Sequence, residues 1–137
     1  MRLEQIKQWL QSFPGWEGTV CVDYVDAKPG NTGLYPKGLK EIFRREDVLG
    51  NLTVHYRYDF LLRRNAARGE ENAQWLMEFQ NWVMEQSRLG LAPQFGDDPK
   101  TERIRASEGQ LQSHAQAGSS MYTVRLSKEF TKTYRGE

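Results

Sequence analysis

The sequence predicts an α+β domain in which helices cover one face of a mainly antiparallel sheet. Two stretches have apolar residues at helical spacing, and most other apolar residues alternate with polar ones, as they do in strands. The strand-like stretches follow one another instead of alternating with helices, which favours α+β over α/β. A chain of 137 residues fits one domain, so we expect residues 1–137 to share a single core.

Two helices are predicted, over residues 2–13 and 69–89. In each, apolar residues recur at three- and four-residue spacing, which places them on one face of a helix. Pro14 and Gly15 end the first helix, and Gly90 suits the C-terminal cap of the second. The apolar residues are Leu3, Ile6, Trp9, Leu10 and Phe13 in the first helix and Trp75, Leu76, Phe79, Trp82 and Val83 in the second.

Strands account for most of the remaining chain. They are predicted at residues 19–25, 39–49, 52–64 and 121–134, with one or two shorter strands within residues 101–116. Two stretches rich in Gly, Pro, Asn and Asp, 26–38 and 92–100, are predicted loops that are mobile in the free protein. Lys128 and Lys132 interrupt the apolar side of the last strand, so one end of that strand is predicted to lie at a sheet edge or beyond the core.

Gly50 and Asn51 stand between the second and third predicted strands. A Gly-Asn pair favours a type II′ hairpin, because Gly adopts the positive φ angle of the first turn position. In that register Arg45 faces Tyr56, where its guanidinium can lie over an aromatic ring. The opposite side of the hairpin has mixed charge and carries Arg44, Glu46, Arg57 and Asp59. We interpret this side as a solvated face, with a subunit or partner contact as the alternative.

The sequence contains no recognisable catalytic set. His55 falls on the polar side of a strand and His114 lies near a turn, where solvated histidines are expected. The lone cysteine, Cys21, is predicted to be a small buried side chain, and it excludes an intrachain disulfide or a cysteine-rich zinc cluster. Nucleophile-elbow, phosphate-loop, dinucleotide-binding and zinc-protease motifs are absent. We therefore expect no enzyme activity, no cofactor and no metal site.

Charge and hydropathy limit the classes of partner. A net charge of +1 at pH 7 argues against a general nucleic-acid binder. Aromatic and charged residues alternate in residues 55–64, which places them on opposite faces of a strand, whereas RNA-binding sheets carry both on one exposed face. No apolar run approaches the roughly 20 residues that span a bilayer. We expect neither membrane insertion nor specific nucleic-acid binding.

Six stretches of the chain together resemble a family of small structural proteins of siphophages and prophages of Gram-positive bacteria. They read WLQSFPGW, CVDYVDAKPGNTGLYPKGL, RREDVLGNLTVHYRYDF, ENAQWLMEFQNWVMEQS, GLAPQFGDDP and YTVRLSKEFTKTY. The resemblance covers nearly the whole chain and includes no catalytic motif. The family is described as minor capsid or minor tail components, and by size and element order this chain is similar to tail-terminator proteins.

The resemblance implies a structural role without a cofactor. Tail terminators are α+β domains that form a six-fold ring on the head-proximal end of the tail tube, stop tube growth and present a surface to the head connector. The implied partners are further copies of the chain, the tail tube protein and the head–tail connector. The implied location is the virion, at the tail or head–tail joint, after assembly in the host cytoplasm. A closed ring of this kind requires heterologous subunit contacts.

No family motif marks functional positions, so the candidate contact residues come from the strand pattern alone. They are Arg44, Glu46, Arg57 and Asp59 on the hairpin, Tyr35 and Lys37 in the first predicted loop, and Phe95 in the second. Charge reversal at Arg57 is expected to preserve the fold and weaken ring assembly. The alternatives are a head-completion or neck protein on the portal side, and a small enzyme or ligand-binding domain with an aromatic-lined pocket.

Overall fold

The computed structural model describes residues 2–16, 18, 20–22, 32–66, 69–107, 110–116 and 119–136. The helices are α1 (Arg2–Gln11) and α2 (Gly69–Leu89), with a short 3₁₀ helix at Pro99–Thr101. The strands are β1 (Val20–Val22), β2 (Thr32–Glu46), β3 (Leu52–Ala66), β4 (Arg103–Ala106), β5 (Gln110–Gln116) and β6 (Ser119–Tyr134).

The six strands form one sheet in the order β1-β2-β3-β6-β4, with β5 also paired to β6. β1 is parallel to β2, and the other pairs are antiparallel. The α+β class predicted from the sequence is therefore confirmed. The central strands β2, β3 and β6 are also the longest, with 15, 15 and 16 residues.

Both helices pack on one face of the sheet, which we call the core face. Trp9 of α1 stacks on Trp82 of α2 with ring centroids 4.8 Å apart, and Phe13 meets Phe79 edge to face at 5.5 Å. The indole Nε1 of Trp9 also donates to Gln86 Oε1 at 2.9 Å. The helices cover the buried strand residues Val20, Leu34, Phe60, Leu62, Ile104, Val124 and Leu126.

The two predicted helices are confirmed. α1 ends at Gln11, slightly short of the predicted end, and α2 has the predicted bounds. Gly90 follows α2 with a φ of +71°, a left-handed conformation that glycine adopts without strain. The N–H of Gly90 donates to Ser87 O and that of Leu91 to Gln86 O, which is the bond pair of a Schellman helix end.

The first predicted loop is wrong over residues 32–38, because they begin β2. Leu34 pairs with a buried leucine of β3 and is itself fully buried. Glycine and proline suggested a loop because both are uncommon in strands. Here Pro36 and Gly38 flank a pairing irregularity, where such residues are tolerated. Residues 26–31 of that predicted loop lie outside the described residues.

The second predicted loop contains no strand, yet it is tied to the core. Glu102 accepts hydrogen bonds from the N–H of Phe95 at 3.0 Å and from that of Gly96 at 2.8 Å. The N–H of Asp97 donates to Thr131 O of β6 at 2.8 Å. Gly96 lies so close to the same strand that a Cβ would stand 2.1 Å from Thr131 O. These contacts argue against the mobility predicted for this loop.

The β2–β3 hairpin has a longer turn than predicted. Five residues, 47–51, connect the two strands. The carboxylate of Asp47 accepts from the N–H of Leu49 and of Asn51, each at 2.9 Å, and from Asn51 Nδ2 at 3.0 Å. Gly50 takes a φ of +83° within this turn. The prediction of a two-residue turn is wrong because the Asp47 side chain organises an Asx-type turn instead.

The longer turn changes the strand register. Phe43 pairs with His55 and Arg44 with a buried valine, whereas the predicted turn placed Arg44 opposite Arg57. The register differs by an odd number of residues near the turn, which moves the β2 side chains to the other face. The face away from the helices, which we call the outer face, therefore carries Phe43 and Arg45. The predicted contact between Arg45 and a tyrosine of β3 is wrong for the same reason.

Lys128 lies inside the core, at 1% exposure. Its Nζ is 2.9 Å from Glu102 Oε1, and Glu102 also receives the loop hydrogen bonds described above. Burial lowers the pKa of Lys128, and the hydrogen bond and charge of Glu102 partly offset that effect. The prediction that this part of the last strand lies at an edge or beyond the core is therefore wrong for Lys128, because a tertiary ion pair compensates its burial.

Candidate interaction surfaces

We first consider the described residues as sites for a metal ion, a membrane span or a small ligand. Among them, no group of three or more His, Cys, Asp or Glu side chains could hold a metal ion. A search of the same residues finds no helix long and apolar enough to cross a membrane. A cleft of about 870 Å³ lies between α2 and β4, and the one carboxylate among its described lining residues belongs to Glu102. That carboxylate already binds Lys128 and two backbone N–H groups.

The β2–β3 hairpin extends farther than the helices that cover it. A strand of 15 residues spans roughly 50 Å, whereas the 10 residues of α1 span roughly 15 Å and the 21 of α2 roughly 31 Å. Accordingly, β2 is buried from Thr32 to Leu34 and exposed from Lys37 to Glu46. We call residues 39–46 and 52–58 the distal half of the hairpin.

An open groove of about 560 Å³ lies on the core face of the distal half. Tyr58 stacks on Phe60 with centroids 4.7 Å apart, and Tyr56 contacts Phe130 at 5.5 Å. The hydroxyls of Tyr56 and Tyr134 share a hydrogen bond of 3.0 Å, which together with burial raises the pKa of Tyr56. We call it the apolar groove, since Lys132 is the one charged residue of its described lining, which otherwise comprises Leu3, Leu39, Tyr56, Tyr58, Phe60, Phe95, Phe130 and Tyr134.

The hairpin turn, which we call the tip, presents apolar side chains to solvent. Val48 is 101% exposed and Leu49 is 76% exposed. The turn does not need these side chains, since the Asp47 carboxylate and backbone bonds hold its conformation. Further exposed apolar residues of the distal half are Leu39, Ile42 and Phe43. Half of the ten exposed large apolar residues among the described residues thus lie in the hairpin, and such clustering favours a contact with another molecule.

The outer face of the sheet is basic. The pairing register places on it the cations Lys40, Arg45, Arg57, Arg63, Arg103, Arg105 and Arg125 and the carboxylates Asp59 and Glu129. The flanking positions on the same strands point the other way and are buried, as Ile104 and Lys128 show. Among the described side chains, seven cations against two carboxylates leave an excess of five positive charges on this face, in a chain whose net charge is +1.

Hydrogen bonds across the strands occupy both carboxylates of the outer face. Glu129 Oε1 lies 3.1 Å from His55 Nε2, and His55 Nδ1 lies 3.1 Å from Thr131 Oγ1. Asp59 Oδ1 accepts from Ser127 Oγ at 2.8 Å and lies 3.4 Å from the guanidinium of Arg57. His55 is thus on the predicted polar side of its strand, but it is held in a network.

The seven candidate contact residues do not form one surface. Arg44 and Glu46 lie on the core-face side of the distal half, where Arg44 Nε donates to Glu41 Oε1 at 3.0 Å. Arg57 and Asp59 lie on the opposite, outer face. The expectation that these four charges share one side is therefore wrong. The reason is again the five-residue turn, which the sequence pattern did not reveal.

The other three candidates have three different environments. Tyr35 is half-buried on the outer face, with the guanidinium of Arg63 5.0 Å from its ring centroid. Lys37 is exposed at the strand irregularity. Phe95 is only 3% exposed and packs edge to face with Phe130 at 5.5 Å. Phe95 is a core residue that also lines the apolar groove, and its assignment as a partner contact stays a prediction.

Sequence reasoning also missed surface residues that the structure brings together. Val48 and Leu49 were treated as strand residues, although apolar residues directly before a Gly-Asn pair could have marked an apolar turn. Arg103 and Arg105 flank the buried Ile104, an alternation that could have assigned both arginines to one face. No protein-family model matches the chain, and no curated protein matches it either.

Proposed function

We propose that this chain is a phage structural protein, a tail terminator that caps the head-proximal end of the tail tube and joins it to the head connector. The observation that carries the proposal is the uncovered distal half of the hairpin. It combines an apolar groove, at whose rim Leu39 is 53% exposed, with an apolar tip whose side chains Val48 and Leu49 are exposed to solvent. The sequence resemblance to phage structural proteins supports the same role.

In the proposed ring, the tip of one copy inserts into the apolar groove of the next. The tip and the groove are different surfaces, so the contact is heterologous and repeats around a ring until it closes. The groove offers aromatic side chains, with Leu39 at its rim 53% exposed. Burying Val48 and Leu49 contributes about 1.5–3 kcal/mol each, an upper bound because association also costs entropy.

A single contact of this size is weak, which suits a protein that assembles on a template. Dilute free chains are therefore expected to be monomers, and the ring forms as their concentration rises or when copies meet at the tube end. The proposed role needs no catalytic residue and no cofactor. Its partners are further copies of the chain, the tail tube protein and the connector, in the virion and beforehand in the host cytoplasm.

Tube-length control tests this proposal directly. Purified tail tube protein is polymerised with increasing amounts of the chain, and tube lengths are measured by negative-stain microscopy. We expect shorter tubes with added density at one end. Leu39→Glu, which places a charge in the apolar groove, should abolish the effect. Met77→Glu is the matched control, because Met77 is 65% exposed on α2, away from the groove.

A parallel binding experiment separates the terminator from a neck protein. The chain is incubated with tail tubes and, separately, with purified portal complexes, and the bound fraction is measured by sedimentation. Binding to tube ends supports the terminator. Binding to portal complexes with none to tubes contradicts it and favours the head-completion role.

A further inference from the structure

The basic outer face forms a surface separate from the apolar groove and the tip. It runs across β4, β6, β3 and β2, a width of roughly 14 Å at the usual spacing of neighbouring strands. Both helices lie on the other side of the sheet, so none of the described helices covers it. The question is which partner matches an excess of five positive charges on a sheet face.

The cations of the outer face are available to a ligand. Arg103, Arg105 and Arg125 are exposed, and so are Lys40 and Arg45. Among the described residues none of these five forms an ion pair. The two carboxylates of the face, by contrast, are already bound by neighbouring side chains. The free charge on this face is therefore positive, and it complements a polyanion.

Aromatic rings lie on the same face as the cations. Phe43 is 56% exposed and stacks on His55 with centroids 5.1 Å apart and an angle of 17° between the rings. Tyr35 lies under the guanidinium of Arg63. Cations beside exposed aromatic rings on a sheet are the combination by which proteins hold single strands, since phosphates contact the cations and bases stack on the rings. An acidic polypeptide would use the cations but not a stacking ring.

We propose that the outer face of the sheet binds single-stranded nucleic acid without sequence specificity, its arginines contacting phosphates and Phe43 stacking on a base. The sequence argued against such binding because it placed aromatic and basic residues on opposite faces. The five-residue turn removes that objection for Phe43, which lies beside the basic residues. The proposal concerns the face opposite the apolar groove and does not depend on ring assembly.

The test is the fluorescence anisotropy of a labelled oligothymidylate of about 16 nucleotides, titrated with the whole chain over a series of salt concentrations. The key variant combines Arg103→Gln, Arg105→Gln and Arg125→Gln. We expect it to weaken binding about tenfold or more and to reduce the salt slope by about 2, since each lost phosphate contact on a single strand contributes about 0.7. Phe43→Ala should weaken binding and leave the salt slope unchanged, because stacking releases no counterions.

The matched control combines Lys7→Gln, Arg44→Gln and Arg88→Gln. It changes the net charge by the same amount, but its residues lie in the helices and on the core-face side of β2. We expect this control to bind like the wild type. Equal weakening by both triple variants would overturn the proposal, because binding would then follow net charge alone. Tighter binding of a duplex of the same length, or equal competition by polyglutamate, would also overturn it.

Discussion

The two halves of the β2–β3 hairpin are built from the same pair of strands, yet they have opposite environments. At the start of β2, Thr32 and Leu34 are fully buried beneath the helices. At the far end, Ile42 and Phe43 are about half exposed, and Val48 at the tip is fully exposed. The difference follows from length, because strands of 15 residues extend past the helices that pack on them.

Within this one hairpin, the residues that stabilise the fold are distinct from the exposed residues proposed to contact other molecules. Apolar residues of the covered half contribute to the core, whereas Leu39, Ile42 and Phe43 of the distal half remain exposed in the single chain. Natural proteins limit long exposed hairpins because such elements promote aggregation. The apolar groove, the apolar tip and the basic outer face are the surfaces on which the two proposals for partners depend. If the two halves are independent, substitutions in the distal half should leave the stability of the core unchanged.

The largest contrast is expected between two phenylalanine-to-alanine substitutions. Phe79 is fully buried in α2, so Phe79→Ala should cost about 3–5 kcal/mol of unfolding free energy. Phe43 is 56% exposed in the distal half, so Phe43→Ala should change the unfolding free energy by less than about 0.5 kcal/mol. Urea denaturation of both variants measures the difference. Equal losses would mean that the distal half is part of the cooperative core.

A second large effect is expected at the ion pair that ties the second predicted loop to the core. Glu102→Gln leaves Lys128 charged and buried without its carboxylate, so it should cost about 3 kcal/mol. The control is Glu85→Gln, which breaks an exposed pair with Arg88 and should have no measurable effect. Urea midpoints of the two variants provide the test. Similar small losses in both would show that Lys128 does not depend on Glu102.

A smaller effect is expected in the pH dependence of stability. Burial lowers the pKa of Lys128 in the folded chain below its usual 10.5, so the unfolded chain holds that proton to higher pH. Stability must then rise with pH between the lowered pKa and 10.5, whereas at lower pH the contribution of this group to stability does not change with pH. Lys128→Met removes the group. The stability of the wild type relative to Lys128→Met should therefore increase as pH rises towards 10.5, and a decrease would contradict the assigned direction.

The smallest effect is expected at the tip. Asp47→Ala removes the carboxylate that accepts from the N–H groups of Leu49 and Asn51. Hydrogen exchange should accelerate at these two amides and stay unchanged in the covered half, for example at Leu62. Slower or unaltered exchange at the tip would show that Asp47 does not organise the turn.

The helices and one face of β3 could be predicted from the sequence because periodicity alone determines them. α2 has the predicted bounds, and Phe60 and Leu62 point into the core while Arg57 and Asp59 point away. These are local properties of a strand or helix, and they do not depend on which element packs beside it.

The features that the sequence did not predict depend on contacts between side chains and on how the elements pack together. Lys128 is buried because Glu102 lies beside it, and a lysine within an alternating strand gives no sign of that partner. The register of β2 depends on whether the turn has two or five residues, which the side chain of Asp47 decides. The aromatic stripe of β3 was predicted, but the groove required knowing that the helices end before the strands do. The sequence thus predicted which residue types form the candidate surfaces, but not which of those residues lie together on one face.

The most direct test of the account is light scattering after size exclusion, over a concentration series, on the wild type and on the double variant Val48→Ser, Leu49→Ser. The account predicts that the wild type forms a closed ring, six-fold by the sequence resemblance, as concentration rises. It predicts that the double variant stays monomeric with an unchanged urea midpoint, because both side chains are exposed in the single chain. The same oligomer distribution in both proteins would contradict assembly through the tip.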